Sequence, residues 1–191
     1  MLIRIGYDIE LEFKAPVAPT ALIYMLQVHP SREGDVRGQE QITISPPLRT
    51  DHYLDAFGNH CARVQVDAGV ASVRLRNEAV VHDSGLPDVQ DLGAAQRGLG
   101  ELPVETLQFL LPSRYCEVDS ELLPFAWEHF GGTPPGWARV SAICSFANQH
   151  LRFDYQSACA TRGALGAFRE RVGVCRDFTH LAITLCRCMN I

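Results

Sequence analysis

Apolar and polar residues alternate from the start of the chain. Ile3, Ile5, Tyr7, Ile9, Leu11 and Phe13 fall on one face, and Arg4, Asp8, Glu10, Glu12 and Lys14 fall mostly on the other. A period of two over so long a run predicts a half-buried strand, stopped by Pro16 and Pro19. The mostly apolar run 21–28 predicts a second strand, and 41–45 alternates again before Pro46-Pro47. Segments 53–56 and 61–66 flank a turn in which Gly58-Asn59 is the hairpin signal. After Gly69 the stretch 71–81 alternates once more. Short strands separated by turn residues predict an antiparallel, sandwich-like β domain. Its histidines (His29, His52, His60 and His82) are isolated, as surface and turn residues are.

The period changes further on. Residues 83–105 mix Gly, Pro, Asp and Leu without a repeat, as a linker or long loop would. Ser120 is a candidate cap for a helix carrying Leu122, Leu123, Ala126, Trp127 and Phe130, with Pro124 in its tolerant first turn and Gly131-Gly132 at its end. Trp137, Val140, Ile143, Cys144, Ala147 and Leu151 keep helical spacing, and 164–168 predicts a short helical turn. The expected class is therefore α+β, with a β domain plus linker over 1–108 and a mostly helical domain over 109–191.

Composition narrows this little: 47% hydrophobic and 20% charged residues are ordinary for a globular protein. No apolar run is long enough to span a membrane, and the N-terminus lacks the apolar block of a secretory signal, so a cytoplasmic location is expected. A net charge of −5 argues against general nucleic-acid binding. The arginines at 162, 169, 171 and 176 read as a solvated helical face rather than a phosphate site. Seven cysteines without an export signal predict free thiols. They show no repeated C-x-x-C, and Cys186-Arg187-Cys188 would diverge by about 200° on a helix, so zinc is not expected.

The chemistry concentrates at 173–189. Phe178, Leu181, Ala182, Leu185 and Met189 follow helical spacing, so a buried helix is entered straight from the glycine turn at Gly173, with Cys175 at its N-terminus. Unpaired N–H groups and the helix dipole favour a thiolate there, lowering its pKa from the free value of about 8.5, and the same donors suit an oxyanion. Arg176 adds positive charge, and Gly173 leaves room for a substrate backbone to approach. Asp177 is expected to cap the helix or to pair with Arg176 or Arg171. Cys144, Cys186 and Cys188 lie mid-helix and read as packing residues, as does Cys61 in its strand. A thiolate nucleophile needs a base, usually histidine. His180 lies about 140° round the helix from Cys175 and more than a turn away, which is out of reach. Nothing in the pattern brings His129 or His150 to the site either.

The run Gly-Val-Cys-Arg-Asp-Phe-Thr-His-Leu-Ala-Ile at 173–183 resembles the nucleophile motif of the bacterial transglutaminase-like superfamily, whose members are described as cysteine proteases. Ser113-Arg114-Tyr115-Cys116-Glu117 and Pro134-Pro135-Gly136-Trp137-Ala138-Arg139-Val140 strengthen the resemblance, which spans most of 110–191. It implies a papain-like core behind an N-terminal β domain. It further implies a thioester on Cys175 formed from peptide or isopeptide amides, without cofactor or metal. The histidine and aspartate of the family lie on strands that follow the cysteine helix. This chain stops at Met189-Asn190-Ile191, so it reads as an inactive piece truncated before that sheet. The competing expectation is a non-catalytic protein-binding module with a vestigial cysteine domain. Expected partners are a peptide or protein substrate, neither nucleic acid nor membrane, with exposed strand edges as a route to homo-oligomers.

Overall fold

A computed structural model describes residues 1–13, 18–87 and 89–191. The expected roles of Lys14 and Pro16 lie outside these residues. The chain forms two compact units, Met1–Asp88 and Val89–Ile191.

The first unit holds strands β1 (Leu2–Glu12), β2 (Thr20–Tyr24), β3 (Gln41–Ser45), β4 (Thr50–Leu54), β5 (His60–Val66) and β6 (Ser72–His82). They make two antiparallel three-stranded sheets, ordered β1-β6-β3 and β2-β5-β4. Val73 and Leu75 of one sheet share a buried cluster with Tyr24, Ala62, Val64 and Val66 of the other. The period-two pattern thus becomes the inner faces of a sandwich. The hairpin turn is held by Asp55, whose Oδ1 accepts the N–H groups of Phe57 (2.9 Å) and Asn59 (2.8 Å), while Gly58 takes φ +80°.

Two expectations change here. The second strand ends at Tyr24 rather than Val28, because side chains from outside its own sheet take up the backbone beyond it: Asn77 Nδ2 of β6 donates to the Leu26 carbonyl (2.6 Å), and the Val28 N–H donates to Glu40, just before β3 (3.0 Å). The apolar row of β1 is covered only toward its C-terminal end, where Ile9 packs on the core. Ile3 and Ile5 stay 37% and 41% exposed.

The second unit holds α1 (Leu122–Phe130), α2 (Trp137–His150), β7 (Arg152–Phe153), α3 (Ala164–Glu170), β8 (Val172–Gly173) and α4 (Cys175–Cys188). Helix α4 packs against the other three. Leu181 and Leu185 of α4 meet Leu122, Ala126 and Phe130 of α1, Ile143 and Ala147 of α2, and Ala164 and Ala167 of α3 in one buried cluster. Ser120 is not itself the cap of α1, a position taken by Glu121, but it stands one residue before it and its Oγ accepts the Leu122 N–H at 3.2 Å. The short parallel pair β7–β8 matches Arg152 with Val172 and Phe153 with Gly173. Segment 94–110 belongs to this unit, so the division falls near residue 88 and not at 108/109. The reason is hydrogen bonding: Trp137 N–H donates to the Ala94 carbonyl (3.0 Å), and Gln96 Nε2 donates to that of Met189 (2.8 Å). Among the described residues no helix is long and apolar enough to cross a membrane.

Candidate active site

The strand β8 delivers the chain to α4, and Cys175 is the first helical residue. Its side of the helix is open: Cys175 is exposed. The N–H groups of Asp177 and Phe178 donate to the Val174 carbonyl at 2.8 and 3.4 Å, while those of Cys175 and Arg176 make no hydrogen bond to the described residues. A thiol and two free first-turn donors therefore share one helix end, the arrangement that favours an anion.

Asp177 does cap the helix, through the N–H of Val174 (2.8 Å to Oδ2). Its ion-pair partner is Arg162, 3.4 Å away, and not Arg176 or Arg171. The reason lies in tertiary packing, which brings the loop before α3 against the first turn of α4. Gly173 also has another role than the one expected. It is buried, and a Cβ there would stand 2.6 Å from Asp177 Cβ, so the group that comes close is the Asp177 side chain and not a substrate backbone. Arg176 turns to Cys159, donating to its carbonyl, and lays its guanidinium 5.3 Å from the Tyr115 ring centroid.

The arginines do not form one solvated face. Arg162 has a side chain only 9% exposed, paired with Glu170 (2.8 Å) as well as Asp177. Burial works against its charge, yet the two carboxylates outweigh this and raise its pKa. Arg169 makes a two-armed pair with Glu121 at 2.9 and 2.8 Å. Arg171 ends α3 in the left-handed conformation, φ +56°.

The segment 113–117 braces this end of the molecule. The Tyr115 carbonyl accepts the Ala164 N–H (2.8 Å), Glu117 accepts that of Leu165 (3.3 Å), and Ser113 accepts from Arg187 (3.0 Å). Tyr115 also stacks on His180, with ring centroids 5.1 Å apart and planes 5° from parallel. Burial first, and the Arg176 charge second, push the His180 pKa below its ordinary value. A depressed histidine contributes stability that is present above its unfolded value of about 6.5 and fades as the pH falls toward the folded one. The His180 ring signals should therefore titrate below pH 6.5, with the Tyr115 stack loosening over the same range, as followed by NMR.

The other two histidines of this unit are held in an aromatic cluster. His129 lies against Phe125, Phe130 and Phe146, while His150 stacks on both Phe146 and Phe168 and donates from Nε2 to the Phe168 carbonyl at 2.7 Å. Cys144 differs from its expected packing role, since it is exposed on α2. Cys186 and Cys188 do pack, and burial lifts their thiols to about 12 and about 11. Among the described residues no group of three or more His, Cys, Asp or Glu side chains could hold a metal.

No curated protein matches the chain. A crystal structure described as a "Putative Cysteine Protease" from Cytophaga hutchinsonii is similar in fold, with TM-score 0.78 and 22% identity, over 100% of this chain and 67% of that one. Residues 127–191, from within α1 to the last residue of the sequence, match the model of the transglutaminase-like superfamily. It is this segment, which holds Cys175 and the whole of α4, that is transglutaminase-like.

Proposed function

We propose that Cys175 is the nucleophile of a cysteine enzyme that acts on peptide or isopeptide amides through a thioester, which water then hydrolyses. The reading is carried by one observation: Cys175 is exposed at the first position of a buried helix, inside the segment that matches the superfamily. The Cys175 sulfur attacks the amide carbonyl, and the resulting oxyanion is met by the free N–H groups of Cys175 and Arg176. Asp177 and Gly173 serve the site by fixing the turn from which the thiol projects, while Arg176, next in sequence, braces that turn against Cys159 and Tyr115. No cofactor or metal is needed for these steps.

Breaking an amide also requires a proton for the departing amine, which a histidine usually supplies. His129, His150 and His180 are all engaged elsewhere, so the 191 residues by themselves should turn over amides no faster than background. An activated aryl ester avoids that requirement, because its leaving group departs unprotonated. Incubation with a p-nitrophenyl ester should place the acyl group on Cys175 well ahead of Cys144, which is also exposed, on another helix. Equal acylation of the two thiols, read by peptide mass spectrometry, would remove the support for Cys175.

A further inference from the structure

We propose that Arg162 is a positioning residue for Cys175, acting through Asp177. The inference rests on Cys175 being the nucleophile and adds how its helix turn is held.

Asp177 is 1% exposed and serves the first turn of α4 with a single oxygen. Oδ2 accepts both the Val174 N–H (2.8 Å) and Arg162 Nη1 (3.4 Å), while Oδ1 makes no hydrogen bond to the described residues. The orientation of the carboxylate therefore depends on Arg162. Arg162 is itself fixed from three sides: Nη1 also donates to the Ser157 carbonyl (2.8 Å), Nη2 pairs with Glu170 (2.8 Å), and its side chain is 9% exposed. A planar guanidinium with several donors can hold these partners at once, which one ammonium cannot. Gly173 leaves the room that Oδ2 occupies, since a Cβ there would stand 2.7 Å from it. Val174 directly precedes Cys175, so the backbone that aims the thiol is tied through Asp177 to the loop before α3 and to α3 itself. Without Arg162, a buried carboxylate would be left short of its cation beside the turn that carries the Cys175 thiol and its two free N–H groups.

The test is alkylation of the 191-residue chain by iodoacetamide at neutral pH, followed cysteine by cysteine by mass spectrometry, with exposed Cys144 as the internal reference. Arg162→Met should slow Cys175 about tenfold, or about 1.4 kcal/mol in barrier, and leave Cys144 at its wild-type rate. Arg162→Lys keeps a cation but loses the planar fork, so it should recover only part of the loss and leave Cys175 about threefold slower than wild type. Tryptophan fluorescence reports whether each variant is folded. If Arg162→Met is not, Glu170→Gln decides, because it releases one arm of Arg162 at a half-exposed carboxylate. That variant should slow Cys175 alone by about threefold.

An unchanged Cys175 rate in a folded Arg162→Met, or in Glu170→Gln where that variant decides, overturns the proposal. So does a loss shared equally by Cys144, or a lysine variant no faster than the methionine one. A wild-type Cys175 that reacts no faster than Cys144 would overturn the nucleophile reading itself, and this is visible before any variant is made.

Discussion

Alanine at position 175 should reduce ester-driven acylation of the chain to the level carried by Cys144 and leave the fold intact. The thiol is exposed and takes no part in either buried cluster, so its loss should move stability by no more than about 0.5 kcal/mol. A nucleophile has no substitute within its own site, and deleting one typically costs factors on the order of 10³ to 10⁶ in rate. Serine should behave almost as alanine does, because an alkoxide needs a general base far more than a thiolate does. Peptide mapping after a timed exposure to the ester distinguishes the sites. Continued acylation at the wild-type rate in Cys175→Ala would move the nucleophile to another cysteine. A collapse of the folded state would show instead that the side chain is structural.

Leu181→Ala should have the largest effect on stability. Leu181 is fully buried where α4 meets the other three helices, and removing its outer carbons leaves a cavity that these helices can only partly fill. Such changes cost about 2–5 kcal/mol, against a total stability of about 5–15 kcal/mol for a typical domain. Both tryptophans of the chain, Trp127 and Trp137, lie in the second unit, so urea unfolding followed by tryptophan fluorescence reads that unit separately from the β sandwich. The midpoint should fall sharply in Leu181→Ala. Ile183→Ala, two residues along on a face 38% exposed, should shift it little. Equal shifts in the two variants would mean that α4 is not seated as described.

Elements with a strong local pattern were legible in the sequence alone. The alternation of 71–81 is β6, the helical spacing after Phe178 is α4, and Gly58 supplies the left-handed turn between β4 and β5. Side-chain period depends only on backbone geometry, so the exchange of period two for helical spacing also announced an α+β chain. The end of β2 was not legible, because it is decided by Asn77 and Glu40, residues distant in sequence that take up the backbone of Leu26 and Val28. The limits of the helical unit were equally hidden, since Gln96 joins it through the backbone of Met189.

The same division runs through the candidate site. Sequence by itself determined that Cys175 begins a helix, that Asp177 sits where a carboxylate can cap that helix, and that His180 falls about 140° round the helix from the thiol; each follows from the turn angle and from end effects within one segment. Only the tertiary structure decided that Arg162 meets Asp177, that Gly173 makes room for that carboxylate, and that His129 and His150 are held among phenylalanines. A buried ion pair between residues fifteen positions apart leaves no period in the sequence. Arg162 looks like any surface arginine until α3 and α4 pack together and exclude water from its side chain.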